Sequence, residues 1–164
     1  MKNKEIQDAL LDIGDELHEI ETMILEKPFN KGNVYHTRYA VVRACGSVES
    51  AFKQIIFDHF AESVGDEKIN NYLEKSILRS SMNPRLERMR GILKQFDASW
   101  DIEFKNMLDQ LEDIQKKKDS LKSLVDLRNQ FAHGTPINAS ISSVIEYYHD
   151  ALEILKCYDN SISQ

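Results

Sequence analysis

The chain has 164 residues, of which 41% are hydrophobic and 29% are charged, and its formal net charge is −6. This length and composition fit one compact globular domain over residues 1–164 and are too apolar for a disordered chain. Six glycines and three prolines are too few turn-forming residues for a sandwich or barrel of many short strands.

The first predicted element is an acidic, amphipathic helix over residues 3–26. Its apolar residues recur at steps of three and four, as on one face of a helix: Ile6, Leu10, Ile13, Leu17, Ile20 and Ile24. Residues 1–26 hold two lysines against eight acidic residues, whereas residues 27–164 hold 19 residues of each sign. The negative charge therefore belongs to this helix and does not exclude an anionic ligand elsewhere on the molecule.

Helical patterns also cover most of the remaining chain. Pro28 ends the first helix, and a second helix over about 34–61 is apolar on more than one face, as a central helix would be. Further helices are predicted over 65–78, from Pro84 to 96, over 102–133 with a break near 118–120, and from Ser140 or Ser142 to about Tyr158. Since no strand-like alternation is found, the sequence predicts an all-α bundle of five to seven helices.

Signals for a membrane or a metal ion are missing from the sequence. No apolar run approaches the roughly 20 residues that span a bilayer, and the N-terminus is acidic where a signal peptide needs an apolar core. We therefore expect a cytoplasmic protein with no membrane partner. Cys45 and Cys157 lie far apart in apolar patterns, which predicts two buried free thiols and no zinc or redox motif. Paired metal ligands and a Gly-rich phosphate loop are also absent from the sequence, so we expect no bound metal and no cofactor.

Positive charge is concentrated in two segments. Residues 79–94 carry Arg79, Arg85, Arg88, Arg90 and Lys94 against one acid, and residues 116–122 carry four lysines against one acid. Local basic patches matter more for phosphate binding than the total charge does. Both segments are therefore candidates for contacts with a polyanion.

The most informative segment is SLVDLRNQFAHGTP, residues 123–136, in which Asp126, Arg128, Asn129 and His133 interrupt an apolar helix face. Asp126, Asn129 and His133 share one face, so that Asn129 can orient the His133 imidazole. Arg128 and His133 are about 140° apart on a helix and converge only if the arginine bends or Gly134 turns the chain. From the spacing alone a structural alternative is favoured: Arg128 pairs with an acid, and His133 caps the helix C-terminus.

The run RNQFAH resembles the Arg-x4-His motif of the HEPN superfamily of helical bundles, in its common form with Asn after the Arg. The resemblance extends in the same chain order to YAVVRACGSVESAF (39–52), NPRLERMRGILKQF (83–96), Trp100 and LVDLRNQFAHG. These segments look like the RiboL-PSP branch of the superfamily over roughly residues 35–155.

The resemblance implies a metal-independent endoribonuclease that acts as a homodimer. Arg128 and His133 would be the catalytic pair, facing their counterparts across the dimer cleft, and Asn129 would support them. Arg43 and Glu49 match polar positions of the second helix and would line or brace that cleft. Asp126 would be a further supporting residue, and the candidates for RNA-backbone contacts are Arg85, Arg88, Arg90 and Lys94.

This activity is consistent with the chemistry of the residues. The 2′-OH of RNA is the nucleophile, a histidine can act as base or acid near neutral pH, and an arginine can stabilise the phosphorane-like transition state. The products would be a 2′,3′-cyclic phosphate and a 5′-OH end. Tyr35, Tyr39 and Trp100 could stack on bases, although such residues more often belong to the core or its rim.

The resemblance also implies a biological setting: a toxin of a toxin–antitoxin or anti-phage system, with an antitoxin as a possible partner. Thr135 stands where some relatives carry a tyrosine that a partner nucleotidyltransferase modifies, so that form of control is not expected. Two alternatives stay open: a catalytically silent HEPN module that binds RNA, a nucleotide or a protein, and a helical interaction protein with a coincidental motif.

Overall fold

The computed structural model of the chain describes residues 1–63 and 66–162. Within these residues the chain forms seven α-helices and no strand, which confirms the predicted all-α fold. The helices are α1 (Lys4–Glu26), α2 (Asn33–Ser63), α3 (Glu67–Leu73), α4 (Leu86–Phe96), α5 (Ala98–Asp109), α6 (Ile114–Ala132) and α7 (Ile141–Ser161), and a π-helical turn (Glu74–Leu78) follows α3 directly. None of the described helices is long and apolar enough to cross a bilayer.

Local caps set the beginnings of several helices. Asn3 caps α1, since its Oδ1 accepts the backbone N–H of Glu5 at 2.8 Å. Asp66 caps α3 and Ser140 caps α7 in the same way. Gly65, predicted to open the third helix, lies outside the described residues.

The core is built from the predicted apolar faces. Five of the six apolar residues of the first helix are buried (Ile6, Leu10, Ile13, Leu17 and Ile20), and Ile24 is partly buried against the same core. Phe104 of α5 and Phe52 of α2 meet Tyr158 of α7 edge-on, with ring centroids 5.4 and 6.1 Å from that of Tyr158. Cys45 and Cys157 are buried free thiols, as predicted.

The order of the contacts along each helix shows which helices are parallel and which are antiparallel. Asn3–Asp58 and Glu16–Arg43 join α1 to α2, and Lys2–Asp159 and Leu10–Tyr148 join it to α7. Helix α1 therefore runs antiparallel to both, and α2 runs parallel to α7. Because α6 turns back into α7 through the short segment 133–140, α6 is antiparallel to α2. The C-terminal end of α6 thus lies at the end of the bundle where α2 begins.

The predicted break within 102–133 was placed wrongly. The chain already becomes helical at Ala98 and breaks at 110–113, where Asp113 adopts a left-handed conformation with φ 52°. Residues 118–120 lie inside α6, because Ser120 is buried there and donates to Asp150 of α7 at 2.6 Å. The polar residues 118–120, whose sequence predicts a helix break, therefore include a contact between two helices.

Candidate functional site

Helix α6 ends within the motif. The backbone N–H of Gly134 donates to Phe131 O at 3.0 Å, and that of Thr135 donates to Gln130 O at 2.9 Å. These two bonds form a Schellman motif, in which the residue after the helix is left-handed. Gly134 has φ +74°, a conformation that glycine adopts without strain. As predicted, the helix stops here, and His133 stands at its end with an exposed side chain.

Two neutral amides hold the half-buried Arg128. Its Nη1 donates to Asn83 Oδ1 and to Asn129 Oδ1, each at 3.3 Å. The amide of Asn129 therefore contacts the arginine, whereas we expected it to orient the His133 imidazole. Its link to His133 is through the backbone, where Asn129 O accepts the His133 N–H at 3.0 Å.

Arg128 retains a positive charge that no carboxylate neutralises. It has no ion-pair partner within residues 1–63 and 66–162. The alternative in which Arg128 pairs with an acid is therefore not what the structure shows. An arginine held by neutral acceptors can still bind a phosphate through its remaining N–H groups.

Asn83 is presented by a loop that α2 holds in place. Lys53 is only 8% exposed, and its Nζ donates to Glu49 Oε1 at 3.0 Å and to Ser80 O at 2.8 Å. Glu49 Oε1 also accepts the backbone N–H of Met82 at 3.0 Å. Glu49 and Lys53 therefore anchor the loop on both sides of Ser81, directly before Asn83, which contacts Arg128.

Two residues of this site, Asn83 and Lys53, are not among those that the sequence predicts. A signal for Asn83 existed: it stands directly before Pro84, in the segment 83–96 that carries the resemblance. Lys53 gave no comparable signal, since its partner carbonyl is 27 residues away.

Three charged side chains converge around the same point of α2. Burial raises the pKa of the Cys45 thiol to about 12, while the nearby charge of Arg128 lowers it, that of Glu49 raises it and that of Arg85 lowers it. Hydrogen bonds tie two of these groups to one loop, since Glu49 accepts the N–H of Met82 and the next residue, Asn83, accepts from Arg128. Arg85 also forms an ion pair with Asp126 of α6, so that the predicted residues Arg85, Asp126, Arg128 and Glu49 belong to one region.

Arg43 lies elsewhere on α2. Its guanidinium binds Glu16 of α1, with Nη2 to Oε2 at 2.8 Å, and Tyr39 donates to Glu16 Oε1 at 2.6 Å. Arg43 and Tyr39 lower the pKa of the Glu16 carboxyl. Arg43 also lines a groove of about 1130 Å³ between α1 and α2, to which residues 123–136 contribute nothing. The structure thus places Arg43 against α1, and its role at the motif stays a prediction.

The residues predicted to contact the RNA backbone differ in whether they form ion pairs within the protein. Arg90 and Lys94 both contact Asp101 of α5: Arg90 Nε lies 2.7 Å from Oδ1, and Lys94 Nζ lies 3.4 Å from Oδ2. Arg88 is exposed and has no ion pair in the described part of the chain. Arg90 and Lys94 therefore already tie α4 to α5, whereas Arg88 is not committed in this way.

The predicted stacking aromatics also divide into two groups. Tyr35 and Tyr39 are exposed near the beginning of α2, the end of the bundle to which the C-terminus of α6 points. Trp100 is buried on α5, with its ring against His59 and Phe60. Tyr35 is therefore accessible to a ligand, Tyr39 is bonded through its hydroxyl to Glu16, and Trp100 belongs to the core.

The comparisons with known proteins give one match. The model of the family described as RiboL-PSP-HEPN matches residues 2–164. No curated protein and no solved structure shows significant similarity to the chain. Across the residues that the structure describes, no three His, Cys, Asp or Glu side chains are grouped as a metal ion would require.

Proposed function

Because the chain belongs to the RiboL-PSP-HEPN family of the HEPN superfamily, we propose that it is a metal-independent endoribonuclease that acts as a homodimer in the cytoplasm. Membership of this family supports, in general terms, a function as a nuclease or as an RNA-binding module. The observation that carries the proposal is the end of α6. Arg128, which no carboxylate among the described residues neutralises, stands five residues from the exposed His133.

The proposed reaction uses the RNA itself as the nucleophile. The 2′-oxygen attacks the adjacent phosphorus, the bond from phosphorus to the 5′-oxygen breaks, and a 2′,3′-cyclic phosphate and a 5′-OH result. A neutral His133 takes the proton of the 2′-OH, and a protonated histidine gives a proton to the departing 5′-oxygen. Arg128 donates hydrogen bonds to the phosphoryl oxygens, whose negative charge increases in the transition state.

A homodimer explains how the two histidine roles are filled. The described chain provides one His133 at the end of α6, whereas the reaction needs a base and an acid. Across a dimer cleft, His133 and the partner subunit's His133 divide these roles. Asn129 and Asn83 keep Arg128 in place, and Asp126 holds Arg85 at the edge of the same region.

The biological role we propose, a toxin or anti-phage factor with an antitoxin protein as partner, rests on the family resemblance alone. A second candidate is a silent HEPN module that binds RNA. It is favoured by the separation of Arg128 and His133 around the helix, about 140°, and by the absence of a hydrogen bond between their side chains in the described structure.

The test compares wild type with His133→Ala on mixed total RNA in EDTA, and the readout is new 2′,3′-cyclic phosphate ends. We expect wild type to cleave and His133→Ala to be at least about 100-fold slower, the usual contribution of a general acid or base. His149→Ala, which removes another exposed histidine, is the matched control and should cleave like wild type.

Two results would contradict this proposal in different ways. Undiminished cleavage by His133→Ala would remove His133 from the mechanism. If folded wild-type dimers cleave nothing, the silent RNA-binding module becomes the better function. A strict monomer by native mass measurement at micromolar concentration would contradict the composite cleft.

A further inference from the structure

The lysines of α6 fall into two groups that the sequence does not separate. Lys116 Nζ lies 2.7 Å from an acidic side chain of α7, and Lys117 Nζ lies 2.9 Å from another. Lys118 and Lys122 have no ion-pair partner anywhere in residues 1–63 and 66–162. Lys116 and Lys117 therefore hold α6 to α7, whereas the charges of Lys118 and Lys122 remain available to bind a ligand.

Lys118 and Lys122 share a cleft with Arg85. This α4–α6 cleft has a volume of about 260 Å³ and lies between the first turn of α4 and the N-terminal half of α6. Two carboxylates also line it, those of Glu87 and Asp119. The carboxylate of Asp119 accepts a hydrogen bond at 3.1 Å from the Gln115 amide.

The first turn of α4 adds positive potential to the α4–α6 cleft. Arg85 is the N-cap residue of this helix and makes no capping hydrogen bond through its side chain. The first N–H groups of α4 therefore lack a side-chain acceptor, and the positive end of the helix dipole lies beside the lysines. The two lysines without ion-pair partners and the helix dipole add positive potential here, which the carboxylates of Glu87 and Asp119 partly offset.

The α4–α6 cleft lies on the same face of α6 as the motif. Residues 118, 122, 126, 129 and 133 follow one another at steps of four, four, three and four, so they lie along one face of α6. His133 lies about 16 Å along the helix axis from Lys122. Between them, Arg85 reaches across from α4 to Asp126. A strand bound at His133 can therefore follow this face of α6 to the cleft.

We propose that Lys118 and Lys122, on the α6 side of the α4–α6 cleft, form a binding subsite for the phosphodiester backbone of a single RNA strand, remote from the bond that is cleaved. The inference rests on the proposed function of the motif, since it is the motif that fixes where the strand begins. Lysine binds phosphate as a point charge and reads no base. The subsite therefore raises the affinity for RNA without selecting its sequence.

RNA binding is measured first, in the His133→Ala background, with a short fluorescein-labelled single-stranded RNA of random sequence. The test variant is Lys118→Gln/Lys122→Gln. The control is Lys105→Gln/Lys156→Gln, which removes the same charge from exposed positions of α5 and α7. We expect the test variant to lose about tenfold in affinity at low salt and about 1.4 from the magnitude of the log–log salt slope. The control should match its parent.

Cleavage is measured second, in the His133 wild-type background. A dinucleotide substrate bound at His133 is too short to reach the α4–α6 cleft, whereas a longer strand can reach it. The Lys118→Gln/Lys122→Gln variant should therefore raise KM for the longer RNA and leave cleavage of the dinucleotide unchanged. A general loss of structure would instead lower kcat/KM for both the longer RNA and the dinucleotide.

The outcomes separate this proposal from the proposed function. Equal affinity of the test variant and its parent, or no RNA binding by either, would overturn the subsite even if wild type cleaves RNA. If binding depends on Lys118 and Lys122 but wild type cleaves no RNA, the subsite stands and the endoribonuclease function fails.

Discussion

At the residue scale, the nature of the groups that hold Arg128 decides what it can do. A carboxylate partner would have neutralised the guanidinium, whereas the amides of Asn83 and Asn129 only orient it. The anchoring of Asn83 depends in turn on the buried Lys53 and on Glu49. Sequence alone identified Arg128 and Asn129 but not the residue that reaches them from the loop.

We predict that Asn83→Ala lowers kcat for RNA cleavage by about tenfold, equivalent to about 1.4 kcal/mol. The reason is that Arg128 loses one of its two orienting hydrogen bonds, so KM should change less than kcat. Steady-state kinetics on a fixed RNA measures both. Asn106→Ala, at an exposed position of α5, is the control, and an unchanged kcat in Asn83→Ala would remove Asn83 from the site.

At the element scale, α4 depends on ion pairs as well as on apolar packing. Arg90 binds the buried Asp101 of α5 through two hydrogen bonds, at 2.7 and 3.0 Å, and Lys94 contacts the same carboxylate. The hydrogen bonds from Arg90 lower the pKa of Asp101 below its ordinary value of 3.8. Two of the four arginines and lysines that we predicted to contact RNA thus serve to hold α4 and α5 together.

We predict that Asp101→Asn lowers the free energy of unfolding by about 2 kcal/mol at pH 7, because bonds to a charged acceptor are lost. Since the pKa of Asp101 is lower in the folded state than in the unfolded state, this stabilisation is present above about pH 4. It is lost as the pH falls through the lowered pKa. Urea unfolding of both proteins at pH 7 and pH 3 measures the difference.

Glu74→Gln is the control for that series. It removes a surface ion pair with Arg79, whose side chain is 72% exposed, and should change the stability by less than about 0.5 kcal/mol. A constant difference between wild type and Asp101→Asn at both pH values would mean that the carboxylate charge does not stabilise α4 against α5.

At the scale of the whole molecule, α2, α5 and α7 share one aromatic centre. Tyr158 is fully buried and meets Phe52 and Phe104 edge-on. These contacts join residues that are 54 and 106 positions apart in the chain, so local helix propensity cannot replace them. The position of the end of α6 relative to α2 and α7 depends on the packing of these helices, because α6 contacts both.

We predict that Phe104→Ala lowers the free energy of unfolding by about 4 kcal/mol, through the loss of buried area and the cavity left behind. The melting temperature should fall by roughly 10 °C for a chain of this length. Phe29→Ala is the control, since Phe29 is 98% exposed. Thermal unfolding followed by circular dichroism tests the pair, and a shift below about 3 °C in Phe104→Ala would contradict a shared core.

The sequence by itself determined the helices, the acidic first element and the RNQFAH motif. Helical periodicity, N-caps and a C-terminal glycine act within a few residues, so they can be read locally. Only the tertiary structure decided which charges remain free, because the neutralising or orienting partner lies far away in the chain. Arg128 meets Asn83 across 45 residues, and Arg85 meets Asp126 across 41. The misplaced break in 102–133 has the same cause, since Ser120 stays helical through a bond to Asp150, 30 residues later.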